Sequence, residues 1–306
     1  MSVCPSACEL APAIDGERRR WRPQWGGLGH VSFYAAERRH GRPLVLVHDL
    51  GVGSSAYEMR PLFEAFRWRR PTYAVDLPGF GLSDRGDLPY TPALFAFVLS
   101  ELLRKLRRAD LAVDVVALGR GVEVAARAAR DEPGLVRSLV MVEPSGLLPA
   151  PRSVVEALAG RVARLFGHAS ARGLFALLAT RPMVGRSLKS RFRGAPDPGL
   201  VAYSAASARV AGAYRAPLAS RAHVPRPLEA AALYRSLAVP VLVVHDVSGP
   251  PAVVLEAFLR GRANRFAVRV SPTRGMPQFE RRAETVAALD RFWQTLPRAA
   301  CEQAMR

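Results

Sequence analysis

Lysine is almost missing from this 306-residue chain: only Lys105 and Lys189 occur, so nearly all of the 44 basic side chains are arginine. Against 26 acidic residues they leave a formal charge of +18. Such a skew fits GC-rich coding as well as it fits selection for a polyanionic partner. The arginines are dispersed apart from small groups at 18–20 and 67–70, and neither zinc-finger spacing nor an aromatic RNA-binding motif accompanies them. Non-specific anion affinity is therefore the expectation, without specific nucleic-acid recognition.

Cysteine is scarce as well, with Cys4, Cys8 and Cys301 all near the ends of the chain. That excludes a disulfide framework, and an odd count fits a reducing compartment. Cys4 and Cys8 would make half a metal site, but no second Cys/His cluster of suitable spacing exists, so no metal and no cofactor are expected. No apolar run approaches the roughly 20 residues needed to cross a bilayer. The start of the chain lacks the charged beginning and apolar middle of a signal peptide, so a cytoplasmic location is the default expectation.

What is present is an alternation of buried strands and amphipathic helices. Strand patterns fall at 31–38, 43–49, 71–77, 113–119, 136–143, 239–246 and 264–271. Helical patterns fall at 54–69, with Ser54 or Ser55 as a cap, and at 91–109, 121–132 and 282–296. Between Pro149 and Arg226 helical segments follow one another with no convincing strand, punctuated by prolines. The organisation expected is a tail over 1–26, a core over 27–148 and 227–298, a helical cap over 149–226 and a tail over 299–306. Apolar ridges mixed with arginines at 161–184 suit a cover over a cleft, and also peripheral membrane contact.

Four segments in this order resemble the α/β-hydrolase superfamily: LVLVHDLGVGSSAY, YAVDLPGFGLSD, RDEPGLVRSLVMVEPSGL, and VPVLVVHD followed by RGMPQFERRAETVAALDRFW. The resemblance covers about residues 30 to 297. It implies an α/β-hydrolase fold, a mostly parallel central sheet flanked by helices, with an inserted cap. It also implies a Ser, an acid and a His in that chain order.

The residues at those places differ. Laid on G-x-S-x-G, the chain reads Ala117-Leu118-Gly119-Arg120-Gly121, which leaves no nucleophile at 119. Gly275 is followed by Met276, and no histidine lies beyond the strand at 264–271. The acid position falls at Ser248 and Gly249, with Asp246 nearby. Relatives that carry the acid one strand earlier would match Glu143 instead. Asp49 replaces the glycine of the HG pair, where a carboxylate opposes the charge an oxyanion hole stabilises. Triad members act as a unit, so these departures together point to a protein without Ser-triad hydrolysis.

Two further readings concern the same strand ends. His48, Asp49, Glu143 and His245 could form a non-standard acid/base site, against the blander reading of structural strand-end residues. Leu50, Gly119 and Arg120 are the candidates for ligand contact, with Arg120 at a helix N-terminus suited to an anion. A small apolar or anionic, acyl-like ligand or a protein partner is the expected occupant. His168 and His223, in the insert, are read as packed or surface residues. A scaffold acting through the cap is the other alternative.

Overall fold

The computed structural model describes residues 10–37, 40–107, 111–145, 147, 172–173, 175–222, 227–246, 250 and 252–297. Cys4, Cys8, Cys301, His168, His223, Ser248 and Gly249 lie outside the described residues, as does all of the 149–171 part of the expected cap.

Eight strands form one sheet in the order β1-β2-β4-β3-β5-β6-β7-β8. They are β1 (Glu17–Trp21), β2 (Val31–Ala36), β3 (Leu44–Val47), β4 (Thr72–Asp76), β5 (Val113–Leu118), β6 (Val136–Val142), β7 (Val241–His245) and β8 (Arg265–Arg269). β1 and β2 are antiparallel to their neighbours, and all other pairs are parallel. This is the α/β-hydrolase fold expected from the order of segments.

The two-residue period of the strands sorts the core into two layers. Val45, Val47, Tyr73, Val75, Val115, Ala117, Leu139, Met141, Val241 and Val243 face one side. There they meet α2 (Pro92–Leu106) and α3 (Gly121–Asp131). Leu44, Leu46, Ala74, Val116, Leu118, Val140, Val142, Leu242 and Val244 face the other, against α1 (Arg60–Phe66) and the helix Arg282–Thr295. Thr91 caps α2 by accepting from Leu94 N, with Pro92 in the first turn. Ser55 caps the 3-10 turn Ala56–Met59 that leads into α1.

β1 lies within the stretch 1–26 that was expected to be a tail. Its sequence, ERRRW, carries no apolar alternation, because an edge strand pairs on one side only and its arginines stay in water. Trp21 anchors it edge-on against Phe33, with centroids 5.5 Å apart. The insert's described helices are Arg181–Lys189, Pro198–Arg209 and Arg215–Ala222, with no strand among its described residues. No helix of the described residues is long and apolar enough to cross a membrane.

Candidate functional site

The C-terminal ends of β3, β5, β6 and β7 bring Asp49, Gly119, Glu143 and Asp246 to one edge of the sheet. β5 turns into α3 through Gly119, whose φ of +56° lies in the left-handed region that glycine occupies without penalty. Gly119 N donates to Val142 O at 2.9 Å, and its own carbonyl accepts from Ser145 N at 3.3 Å, which fixes the turn.

A Cβ at position 119 would stand 2.7 Å from Asp49 Cγ and 2.8 and 2.9 Å from its two oxygens. Asp49 thus fills the volume that a side chain on the elbow would need. Its Oδ1 accepts from Leu50 N at 2.7 Å and from Arg120 N at 2.9 Å. In this fold the N–H after the nucleophile and one from the loop after β3 are the two oxyanion-hole donors. Both are satisfied here by a carboxylate of the chain itself.

The other face of Asp49 meets the insert. Arg191, just beyond the helix Arg181–Lys189, places Nη1 3.2 Å from Asp49 Oδ2 and 3.5 Å from Glu58 Oε1. Glu58 Oε2 accepts from Asp49 N at 2.9 Å, and its Oε1 accepts from Ser54 Oγ at 3.0 Å. Burial would raise Asp49, but the charges of Arg191 and Arg120 and its two backbone N–H bonds outweigh that and hold it below the usual carboxylate range. Burial pushes Glu58 the other way, to about 7; the Asp49 charge adds to this and Arg191 opposes it. Two carboxylates sharing one guanidinium divide their ionisation in this manner.

Arg191 also passes over the place where a histidine would follow β8. A Cβ on Gly275 would lie 3.6 Å from Arg191 O. Next to it Met276 is fully buried, 3.7 Å through sulfur from Gln278 Nε2, and Gln278 in turn donates to Glu58 O at 3.1 Å. A thioether there can neither take nor give a proton.

The residues of the alternative acid/base site are each engaged differently. His48 is wholly buried; Nδ1 meets Asp49 O, and Nε2 accepts from Leu77 N at 3.0 Å. Both ring nitrogens are engaged by backbone, and burial lowers its pKa to about 4, so it stays neutral. Proton transfer through His48 would first have to break one of these two contacts. His245 is half-buried with Nδ1 3.2 Å from Asp246 O, pairing with its own turn. Glu143 ends β6 with a φ of +47°. Burial pushes its carboxyl up to about 8, with the Asp246 charge adding to that against an Asp246 backbone hydrogen bond and Arg191. One of its oxygens, Oε1, is buried without a hydrogen-bond partner.

On the other side of the elbow, Leu50 and Arg120 line a pocket with Tyr90, Phe95, Glu123 and Ser220. It holds little more than a water molecule, as far as the described residues define it. Leu50 O accepts from Ser220 Oγ at 3.2 Å, closing the pocket toward the helix Arg215–Ala222. No three His, Cys, Asp or Glu side chains among the described residues are grouped to hold a metal ion. Arg191 and Glu58 had no signal in the sequence, and Ser54 was legible only as a candidate helix cap, since Arg191 lies far along the chain from Asp49 in a stretch without motif. The Asp in place of the HG glycine was the one clue.

The family model of the Alpha/beta hydrolase family matches residues 44–289, and the chain belongs to that family. Among its relatives, the 2-(acetamidomethylene)succinate hydrolase of Mesorhizobium japonicum is 29% identical over 116 residues, 38% of this chain and 40% of that protein. The chain therefore spans about two fifths of the length of that curated relative. Cfl2 from Burkholderia cenocepacia superposes with a TM-score of 0.69 at 23% identity, covering 90% of this chain and 95% of that one. The enol-lactonase from Burkholderia xenovorans LB400 superposes with a TM-score of 0.66 at 17% identity, covering 87% and 96%.

Proposed function

We propose that this chain is a non-hydrolysing member of its family, one that binds a small apolar or acyl-like ligand or a protein partner and does not cleave esters through a serine triad. One observation carries the reading: the Asp49 carboxylate lies on both oxyanion-hole donors and against the Cβ position of Gly119. A tetrahedral oxyanion needs those donors, and an anion already seated there repels it. Gly119 and Met276 offer neither nucleophile nor base. A cytoplasmic location belongs to the same proposal.

The competing reading is an active hydrolase with a non-standard site. The names of the relatives favour it, and so does Glu143, whose carboxyl keeps its proton near neutral pH and has one oxygen without a partner. Such a group could act as a general acid. The test is a turnover screen of the full chain with esters, lactones and N-acyl enamines, beside labelling with a serine-reactive fluorophosphonate. The expected result is no labelling and no turnover above the uncatalysed rate. Turnover that disappears in Glu143→Gln would overturn the proposal in favour of the second reading.

A further inference from the structure

We infer that the oxyanion hole remains a working site for a small carboxylate, that Asp49 occupies it in cis, and that Arg191 completes it from the cap. Three donors converge on one carboxylate: Leu50 N at 2.7 Å, Arg120 N at 2.9 Å and Arg191 Nη1 at 3.2 Å. The first two are backbone groups of the loop after β3 and of the N-terminus of α3, held by the elbow's own hydrogen bonds. The donors are thus built into the fold, whereas the carboxylate is one exchangeable side chain. Gly119 is the condition for this arrangement, because any side chain there would meet Asp49 at under 3 Å.

The geometry defines the ligand as well. Removing the Asp49 side chain vacates the volume of a methylene and a carboxylate, which suits formate or acetate. Beyond it lies the small pocket beside Arg120 and Ser220. In the intact protein the tether gives Asp49 an effective concentration that free carboxylates at millimolar levels do not match. Asp49 therefore acts as a resident ligand that shuts the hole and pins the segment around Arg191 to the core through the same ion pair. The inference rests on the occupancy of the hole and not on the lack of turnover. Hydrolysis by the intact protein would defeat the proposed function and leave this inference standing.

The test is chemical rescue of Asp49→Gly and Asp49→Ala, read by thermal unfolding in sodium formate or acetate against sodium chloride at equal ionic strength. Both variants should gain about 2 °C or more in tens of millimolar formate, as expected for a ligand above its Kd that binds only the folded state. The intact protein should respond to formate as it does to chloride. Adding Arg191→Gln to Asp49→Gly should reduce the gain. Formate responses equal in variant and intact protein, or undiminished by Arg191→Gln, would overturn the inference. Should Asp49→Gly be recovered poorly, the yield of folded protein on refolding in formate against chloride gives the same comparison. An equal yield there overturns it too.

Discussion

Glu143 holds a proton that an unfolded chain would release. Its carboxyl, raised by burial and by Asp246, ionises near 8 in the folded protein and near the ordinary value of 4.5 when exposed. Between those two values the folded state binds more protons than the unfolded state, so its contribution to stability falls as pH rises. That contribution is fully present below about 4.5 and lost by about 8. Glu143→Gln cannot ionise and should flatten this slope, gaining on the intact protein by on the order of 2 kcal/mol between pH 5 and 8. Urea unfolding at pH 5, 6.5 and 8 measures it; parallel curves for the two proteins would show that Glu143 titrates like an exposed side chain. His48 acts in the opposite direction. Its pKa is lowered to about 4, so its stabilising effect is present above about 6.5 and lost on acidification toward 4. The same residue-scale logic explains why Asp49 and Gly119 belong together. The space that an elbow serine side chain would need is taken by the carboxylate of Asp49 on the loop that faces it.

The insert approaches the loop after β3 through backbone as well as side chains. Gly53, with a φ of +74°, has its missing Cβ only 2.3 Å from the carbonyl oxygen of Ser204 in the helix Pro198–Arg209. A methyl there has both a strained backbone and a rigid obstacle, so the helix must move away. Gly53→Ala should cost about 2 kcal/mol or more, and should separate the Tyr57–Tyr203 ring pair, now 5.2 Å apart. Equilibrium unfolding reads the first effect and the aromatic resonances of the two tyrosines the second; an unchanged midpoint would mean that the helix is not seated on this loop. This scale also shows where the sequence was readable. Seven strands were legible because buried strands leave continuous Val/Leu/Ala runs, and their ends shifted by only a residue or two. β1 was not, because an arginine edge strand has no such pattern. Gly119, Met276 and Asp49 were legible as departures at known places of the fold. Arg191 and Glu58 were not, because only folding brings an arginine of the insert and a 3-10 turn onto one carboxylate.

For the molecule as a whole, the excess positive charge remains to be accounted for. Several arginines are spent internally: Arg70 and Arg137 flank the buried Asp114, Arg69 pairs with Asp290, and Arg104 with Glu132. Other arginines are exposed, both on the outer strands and in the insert, where Arg181, Arg186, Arg193 and Arg209 face water. Arg18 and Arg20 are exposed on β1, and Arg269 is exposed on β8. Nearby, Arg262 and Arg235 depress the pKa of Arg265 after burial has done so. Charge spread over the surface in this way creates a long-range attraction for any polyanion without a single focus among the described residues. Binding to a short DNA duplex should therefore be indifferent to base sequence and fall at least about tenfold between 50 and 200 mM salt, because counterion release supplies its driving force. Fluorescence anisotropy with two unrelated duplexes over that salt range measures both properties. A preference for one duplex beyond about tenfold, or affinity that survives high salt, would require base contacts. In that case the arginines would have been selected for a partner, and the charge would be part of the function.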